Sequence, residues 1–234
     1  MTVRVSIVVP VYNEGAEVVA FLDRVVNSVA MPFELLAVYD DESDTTLPYL
    51  QEYNARDERV RPVLNAVSPG PAGALSAGFA AAKADVVVVT MADGSDDPAQ
   101  IETLTKLVER GVVVAAASRY MHGGQQVGGP WFKGFLSKMA GLSLFWVARV
   151  GTHDATNSFK AYSASFVEEV GIDSDAGFEL GIEMVATARR ARRPVAEIPT
   201  IWLDRDHGTS NFKLIEWLPT YLRWYRHAFI GGSK

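Results

Sequence analysis

The sequence predicts an α/β domain built on a doubly wound, mostly parallel sheet with helices on both faces. Two observations carry that expectation. Short apolar, β-branched runs alternate with segments of helical spacing along the first half of the chain, in the order βαβαβαβ. Several of these runs end abruptly in acidic or turn-forming residues, as strands do when their carboxyl ends open onto a ligand crevice. The strongest run is Val86 to Val89, followed at once by Thr90-Met91-Ala92-Asp93-Gly94-Ser95-Asp96-Asp97-Pro98. An unbroken valine run reads as a strand buried on both faces.

The elements follow in order. Val3 to Pro10 is the first strand, Val11 to Gly15 a turn, and Glu17 to Val29 a helix with Val18, Phe21, Leu22, Val25 and Val29 on one face. Phe33 to Tyr39 is the second strand, ending in Asp40-Asp41-Glu42-Ser43-Asp44. Thr45 to Arg56 is helical and Val60 to Leu64 a short third strand. Asn65 to Gly78, rich in Gly, Pro and Ala, leads into a helix ending near Ala84. After the Val86 strand, Ile101 to Arg110 is a helix and Val112 to Ser118 a strand ending at Arg119-Tyr120. His122 to Pro130 reads as a mobile glycine-rich loop. Trp131 to Val150 reads as a long helix whose stripe of Phe135, Met139, Leu142, Phe145 and Trp146 is expected in the core. Thr152 to Ser163 mixes polar and strand-like residues. Gly177 to Arg190 is a helix with Glu179 and Glu183 on one face. Val195 to Leu203 is a late strand, placed at an edge by Pro199. Asp204 to Asn211 is a loop, and Lys213 to Phe229 a final helix dense in Trp, Tyr and Arg.

Composition narrows the function. At 234 residues and 48% hydrophobic content the chain makes one large domain, expected over residues 1–212, with a C-terminal helix and tail over 213–234. A net charge of −6 argues against a nucleic-acid partner. The absence of cysteine excludes disulfides and thiolate metal sites. No charged-then-apolar leader opens the chain and no apolar run nears the ~20 residues that span a bilayer. The expectation is a cytoplasmic protein, at most peripheral on the inner face of a membrane.

Glu14, Asp40, Asp41, Asp93, Asp96 and Asp97 fall at the carboxyl ends of the expected strands, while Arg119, Arg205, His207 and Lys213 supply cations later in the chain. Acids for a divalent cation together with cations for phosphates suit a nucleoside diphosphate. Asp96 and Asp97 also stand where a helix cap is needed, so both capping and ligand roles are open for them. A Walker A loop, a GxGxxG fingerprint and a GxSxG nucleophile are all missing from the sequence. The histidines 122, 153, 207 and 227 show no metal-ligand spacing and read as surface or packing residues.

The blocks VSIVVPVYNE, YDDESDTT, VVVVTMADGSDDP, ASRY, GFELGIEM and EIPTIWLDRDHGTSNFKL run in the order found in family 2 glycosyltransferases of GT-A fold. The chain most resembles the polyprenyl-phosphate type, that of the dolichol-phosphate mannose synthases, over nearly its whole length. The resemblance implies that Pro10, Tyr12 and Glu14 line the base and ribose of the donor, with Tyr39 and Asp41 beside them. Ala92 and Asp93 would meet the sugar diphosphate and metal, with Ser95 and Asp96 as further metal ligands. Arg119 and Arg205 would hold the diphosphate, and Lys213 and Glu179 would contact phosphate or acceptor. The cofactor implied is Mg²⁺ or Mn²⁺, and the partners are a GDP- or UDP-linked sugar and a lipid phosphate. Two departures stand out: Met91 replaces the acid or amide that opens the family's metal motif, and Asn211 replaces a common lysine.

Inverting transfer needs an acceptor oxygen in line with the anomeric carbon and a stabilised leaving diphosphate. A hydroxyl acceptor needs a general base as well, whereas a lipid phosphate arrives ionised. Glu179 or Glu183 fits that base, and equally fits a solvated helix face. In the last helix, Trp217, Tyr221, Trp224, Tyr225 and Phe229 beside Arg223, Arg226 and His227 suit a membrane interface, or packing across the domain or a homodimer. Pro219 either kinks that helix or marks its start. The alternatives to lipid-phosphate transfer are a glycosyltransferase with a soluble hydroxyl acceptor, a non-catalytic nucleotide-sugar-binding domain, and a nucleotidyltransferase.

Overall fold

The computed structural model describes residues 2–129, 131–204 and 214–229, without the side chains of Lys133 and residues 214–217. The first half alternates as its apolar periodicity requires: β1 (Val5–Pro10), α1 (Glu17–Ser28), β2 (Phe33–Tyr39), α2 (Leu47–Arg56), β3 (Val60–Leu64), α3 (Pro71–Ala81) and β4 (Val86–Val89). A 3₁₀ turn, Pro98–Gln100, leads into α4 (Ile101–Glu109), then β5 (Val114–Ser118), β6 (Gln125–Val127) and α5 (Trp131–Ser143). A π-helical turn over Leu144–Ala148 continues α5. The chain goes on through β7 (Lys160–Ser163), α6 (Ala164–Val170), α7 (Leu180–Arg190), β8 (Val195–Pro199), β9 (Ile201–Leu203) and α8 (Leu214–Phe229).

Among the described residues the main sheet has seven strands in the order β3-β2-β1-β4-β7-β5-β8. Only β7 runs against the rest, paired antiparallel to both β4 and β5. The order reverses between β1 and β4, which pair in parallel through Ser6–Val87 and Val8–Val89. Ligands in open α/β sheets bind outside the carboxyl ends at such a reversal. Here those ends are the Pro10–Glu14 and Met91–Asp97 segments.

Alternate strand residues feed two cores. Ile7, Val9, Leu35 and Val88 pack against α1, α2 and α4, whereas Val8, Leu36, Val87 and Val89 pack on the face covered by α3, α7 and α8. All the valines of β4 are buried, at about 1.5–3 kcal/mol for each side chain withdrawn from water. α3 lies close against β1 because Gly78 faces it: a Cβ there would stand 2.3 Å from Cγ1 of Val8.

Several expectations need correction. The stretch His122 to Pro130 is not all loop, since it contains β6, which pairs in parallel with β9 as a small second sheet. The late strand splits at Thr200: β8 ends at Pro199 on the edge of the main sheet and β9 joins β6. Thr152 to Ser163 supplies β7, an interior strand. The helix from Trp131 does not run to Val150, because Arg149 is left-handed at φ 56°. Its stripe is not core: Phe135, Met139 and Trp146 are exposed and Leu142 and Phe145 only half-buried, whereas Leu144 and Ala148 are covered. α8 runs through Pro219 and turns Trp224 inward against α7, while Leu218, Leu222 and Phe229 stay exposed. The side chain of Trp217 lies outside the described residues. Among those residues no helix is long and apolar enough to cross a membrane.

Replacing Gly78 with valine forces branched atoms into Val8 and Val38. Gly78→Val is expected to lower stability by about 1–3 kcal/mol, read as a lower urea midpoint with unchanged slope.

Candidate active site

The crevice opens where β1, β2, β4 and β5 end. After β1 the chain turns sharply through Asn13 and Gly15, both left-handed, at φ 56° and 57°. Asp44 fixes this turn: its carboxylate accepts from the amide of Asn13 at 3.1 and 3.2 Å and from that of Thr46 at 2.7 Å. Thr46 Oγ1 in turn accepts from the Glu14 amide at 2.9 Å. Pro10 and Glu14 are half-buried and Tyr12 stands out with 58% of its surface exposed.

The acids after β2 divide their labour. Asp40 binds Asn65 Nδ2 at 2.7 Å and the Gly70 amide at 2.8 Å, so it secures the turn into α3. Asp41 is exposed beside half-buried Tyr39 and, among the described residues, bonds locally, accepting from the Ser43 hydroxyl and from the Ser43 amide at 2.7 Å. Those bonds, the hydroxyl first, hold its carboxyl below the usual range.

After β4, Asp97 caps the following turn through the Ala99 amide at 3.1 Å. Asp96 has no capping role. It is buried, accepts from Thr90 Oγ1 at 2.9 Å, and is pushed up to about 7 by burial first and by the charge of Asp93 second. Asp93 is half-buried and accepts from the Ser95 amide at 3.0 Å, with Ala92 half-buried beside it. The hydroxyl of Ser95 is buried without a hydrogen-bond partner among the described residues. Among those residues no three His, Cys, Asp or Glu side chains converge as a cation site. Two neighbouring carboxylates and an unsatisfied hydroxyl are oxygen donors suited to a hard divalent ion, which completes its shell with water and ligand phosphates.

Arg119, at the end of β5, is mostly buried and paired. Its Nε meets Asp154 Oδ2 at 2.7 Å and its Nη2 meets Oδ1 at 3.0 Å. Nη2 also donates to Thr156 Oγ1 at 3.2 Å and Ser137 Oγ at 3.3 Å. Burial alone would lower the guanidinium, but Asp154 more than offsets it and holds Arg119 charged. Burial would likewise raise Asp154, and Arg119 brings it below its ordinary value. Lys160 of β7 is buried nearby, donating to the carbonyls of Ala155 and Asn157. Burial pushes it down to about 8 against the pull of Asp154. Asp154, Thr156, Ser137 and Lys160 carry no separate signal in the sequence. An acid and a lysine bracketing a polar segment are the only hint.

The solvated-face reading of Glu179 and Glu183 does not hold, because both are buried. Glu179 accepts from the amides of Asp175, Ala176 and Gly177, and Glu183 from those of Asp173 and Ser174 and from the Ser174 hydroxyl. His153 packs against Phe145 at 3.6 Å between ring centres and meets Glu197 at 2.5 Å, as a packing residue does. Arg205, His207, Asn211 and Lys213 lie outside the described residues. The chain approaches that segment at the site, since the Leu203 amide donates to the Ser95 carbonyl and Trp202 stands 6.0 Å from the Arg119 guanidinium.

The chain is 28% identical over 232 residues to polyprenol monophosphomannose synthase of Mycolicibacterium smegmatis, covering 92% of this chain and 87% of that one. It is 28% identical to dolichol-phosphate mannosyltransferase of Pyrococcus furiosus, covering 90% of this chain and 59% of that longer one. Glucosyl-3-phosphoglycerate synthase from Mycobacterium tuberculosis, solved with Mn²⁺, UDP and glucosyl-3-phosphoglycerate, superposes with a TM-score of 0.71 at 17% identity, over 99% of this chain and 81% of that one. A mannosyltransferase from Pyrobaculum calidifontis, solved with GDP-mannose and Mn²⁺, gives 0.65 at 18%, over 99% and 65%. The fold is therefore GT-A. The profile of glycosyl transferase family 2 matches residues 6–171, and the chain belongs to that family.

Proposed function

We propose that this glycosyltransferase moves a sugar, with inversion, from a GDP- or UDP-linked donor to a polyprenyl phosphate, using Mg²⁺ or Mn²⁺, at the cytoplasmic face of a membrane. The observation that carries the proposal is that oxygen donors after β4 and a fixed guanidinium after β5 stand close enough for Asp96 to feel the charge of Arg119. Asp93, Asp96 and the unpartnered Ser95 hydroxyl are the donors, and Arg119 is the cation. Similarity to polyprenol and dolichol-phosphate mannosyltransferases supports the acceptor class.

In this reading Pro10, Tyr12, Glu14, Tyr39 and Asp41 receive the nucleoside. Ala92 borders the sugar diphosphate, and Asp93, Ser95 and Asp96 would hold the cation, which when bound would neutralise charge on the leaving diphosphate. Met91 offers no carboxylate, so the donor's own phosphates complete the cation's shell. Asp154 engages Nε and Nη2 of Arg119, and the remaining edge of the guanidinium faces phosphate. Such an arrangement stabilises developing charge without reorganising during reaction. Arg205 and Lys213, which lie outside the described residues, are assigned as further cations for the phosphates. The carboxylate oxygens of Glu179 and Glu183 are engaged by backbone donors, which disfavours either as general base. A phosphate acceptor, already ionised, needs none. A second reading, a nucleotide-sugar binder without catalysis, is favoured by Met91 alone.

Thermal shift against UDP-, GDP- and dTDP-sugars with Mg²⁺ or Mn²⁺, followed by transfer to a short-chain polyprenyl phosphate, tests the proposal. Metal-dependent binding without transfer or donor hydrolysis would select the binder. Asp93→Ala is expected to abolish metal-dependent binding and transfer while leaving the melting temperature of the free protein nearly unchanged. Full activity in that variant would overturn the site. Asp41→Asn should weaken the free nucleoside diphosphate as well as the nucleotide sugar, as isothermal titration would show.

Asp154→Asn leaves Arg119 buried without its counter-charge and should cost about 3–5 kcal/mol of stability in urea. Because the native carboxyl of Asp154 lies below its ordinary value, the pair's contribution is full above about pH 4 and fades as pH falls through the native value. The stability gap between wild type and Asp154→Asn should therefore narrow in acid.

A further inference from the structure

We propose that the outward face of α5, rather than α8, docks the chain onto an anionic lipid surface. The proposal rests on the lipid-phosphate reading of the acceptor but is tested without it.

α5 is two-sided. Trp131, Phe132, Phe135, Leu136 and Met139 are all exposed, with Trp131 at 80%. At 3.6 residues per turn they fall within an arc of about 140°. The π-helical turn that continues α5 adds Trp146, 71% exposed, and Val147. Contiguous apolar surface of this kind on a folded domain marks an interaction site. The opposite arc is pressed onto the protein. A Cβ on Gly141 would lie 2.2 Å from the His153 carbonyl, the Gly134 carbonyl accepts from Tyr120 at 3.4 Å, and Ser137 Oγ meets Thr156 Oγ1 at 2.6 Å and Arg119 at 3.3 Å. One helix, about 10–12 Å across, thus separates the apolar face from the Arg119 guanidinium.

Charge selects the occupant. The protein is acidic overall at −6, yet from Arg110 to His153 the sequence holds no Asp or Glu, while Lys133, Lys138 and Arg149 fall within or beside α5. Aromatic residues with cations and no acids match an anionic headgroup layer. A second copy of the chain fits poorly, because a two-fold pair sets this face against itself and like charges against each other. α8 is the weaker candidate, since Trp224 is turned into the core.

The test is flotation of the full chain with phosphatidylglycerol-containing and pure phosphatidylcholine vesicles, without donor or acceptor, at low and physiological salt. Binding is expected to the anionic vesicles and to weaken with salt. It should fall at least tenfold in Trp131→Ser/Phe135→Ser/Met139→Ser and severalfold in Lys138→Glu, whose single charge change on an exposed site spares the fold. Leu222→Ser/Phe229→Ser on α8 should bind within twofold of wild type. Unchanged circular dichroism and nucleotide-induced thermal shift confirm that the variants are folded. Absence of vesicle binding at both salts, wild-type binding by the α5 variants, or a dimer in sedimentation that the triple variant dissolves would each overturn the proposal. Because no sugar transfer is measured, failure here leaves the reaction assignment standing, and failure of transfer leaves the docking result standing.

Discussion

Arg119 and Asp154 bear opposite charges largely withdrawn from water, Asp154 wholly and Arg119 mostly, and much of the site depends on keeping them together. Neither charge is tolerable there alone, since desolvation of an unpaired ion costs several kcal/mol. The pair is satisfied only when three separate pieces of chain meet: the end of β5, the turn after Thr152, and α5 through Ser137. Asp154 is itself held in place by the Arg119 and Asn157 amides, and Asn157 Nδ2 reaches back to the Ala117 carbonyl of β5. The cation is thereby oriented by the fold before any ligand enters, so little reorganisation is left for the reacting complex.

The same economy governs the acidic loops. Each carries more carboxylates than ligand chemistry requires, and the surplus is spent on backbone donors. Asp44 shapes the turn after β1, Asp40 the entry to α3, and Asp97 the turn into α4. Composition shows that acids cluster at strand ends. Only the hydrogen bonds separate those that build a loop from those presented to a ligand.

That distinction also describes what the sequence could reveal. Phe33 to Tyr39, Val60 to Leu64 and Val86 to Val89 are strands with the expected bounds, because short, mostly apolar segments set between helical stretches and turn residues read as buried strands, most plainly in the four valines of β4. Local pattern alone places Asp41 and Asp93 just after the carboxyl ends of β2 and β4, whereas Tyr39 and Ala92 are singled out only through the family resemblance. β7 was not legible, as four residues with a buried lysine carry no strand period. Asp154 was not legible either, for its partner lies 35 positions away. The apolar stripe of α5 was visible, but periodicity reports that a helix has an apolar face and not whether anything covers it.

The insertion of β7 has a consequence for how the chain reaches its native state. β1 to β4 pair among themselves using only residues before Thr90. The other edge of β4 waits for Lys160–Ser163, more than seventy residues later in synthesis. Until then an all-valine strand presents an unpaired edge, the arrangement most prone to capture another chain. When β7 arrives it closes that edge, bridges to β5 and brings Lys160 beside Asp154 in one step. Completion of the sheet and assembly of the charged site thus depend on the same strand, so a chain that ends before β7 has neither a covered β4 edge nor Lys160 beside Asp154.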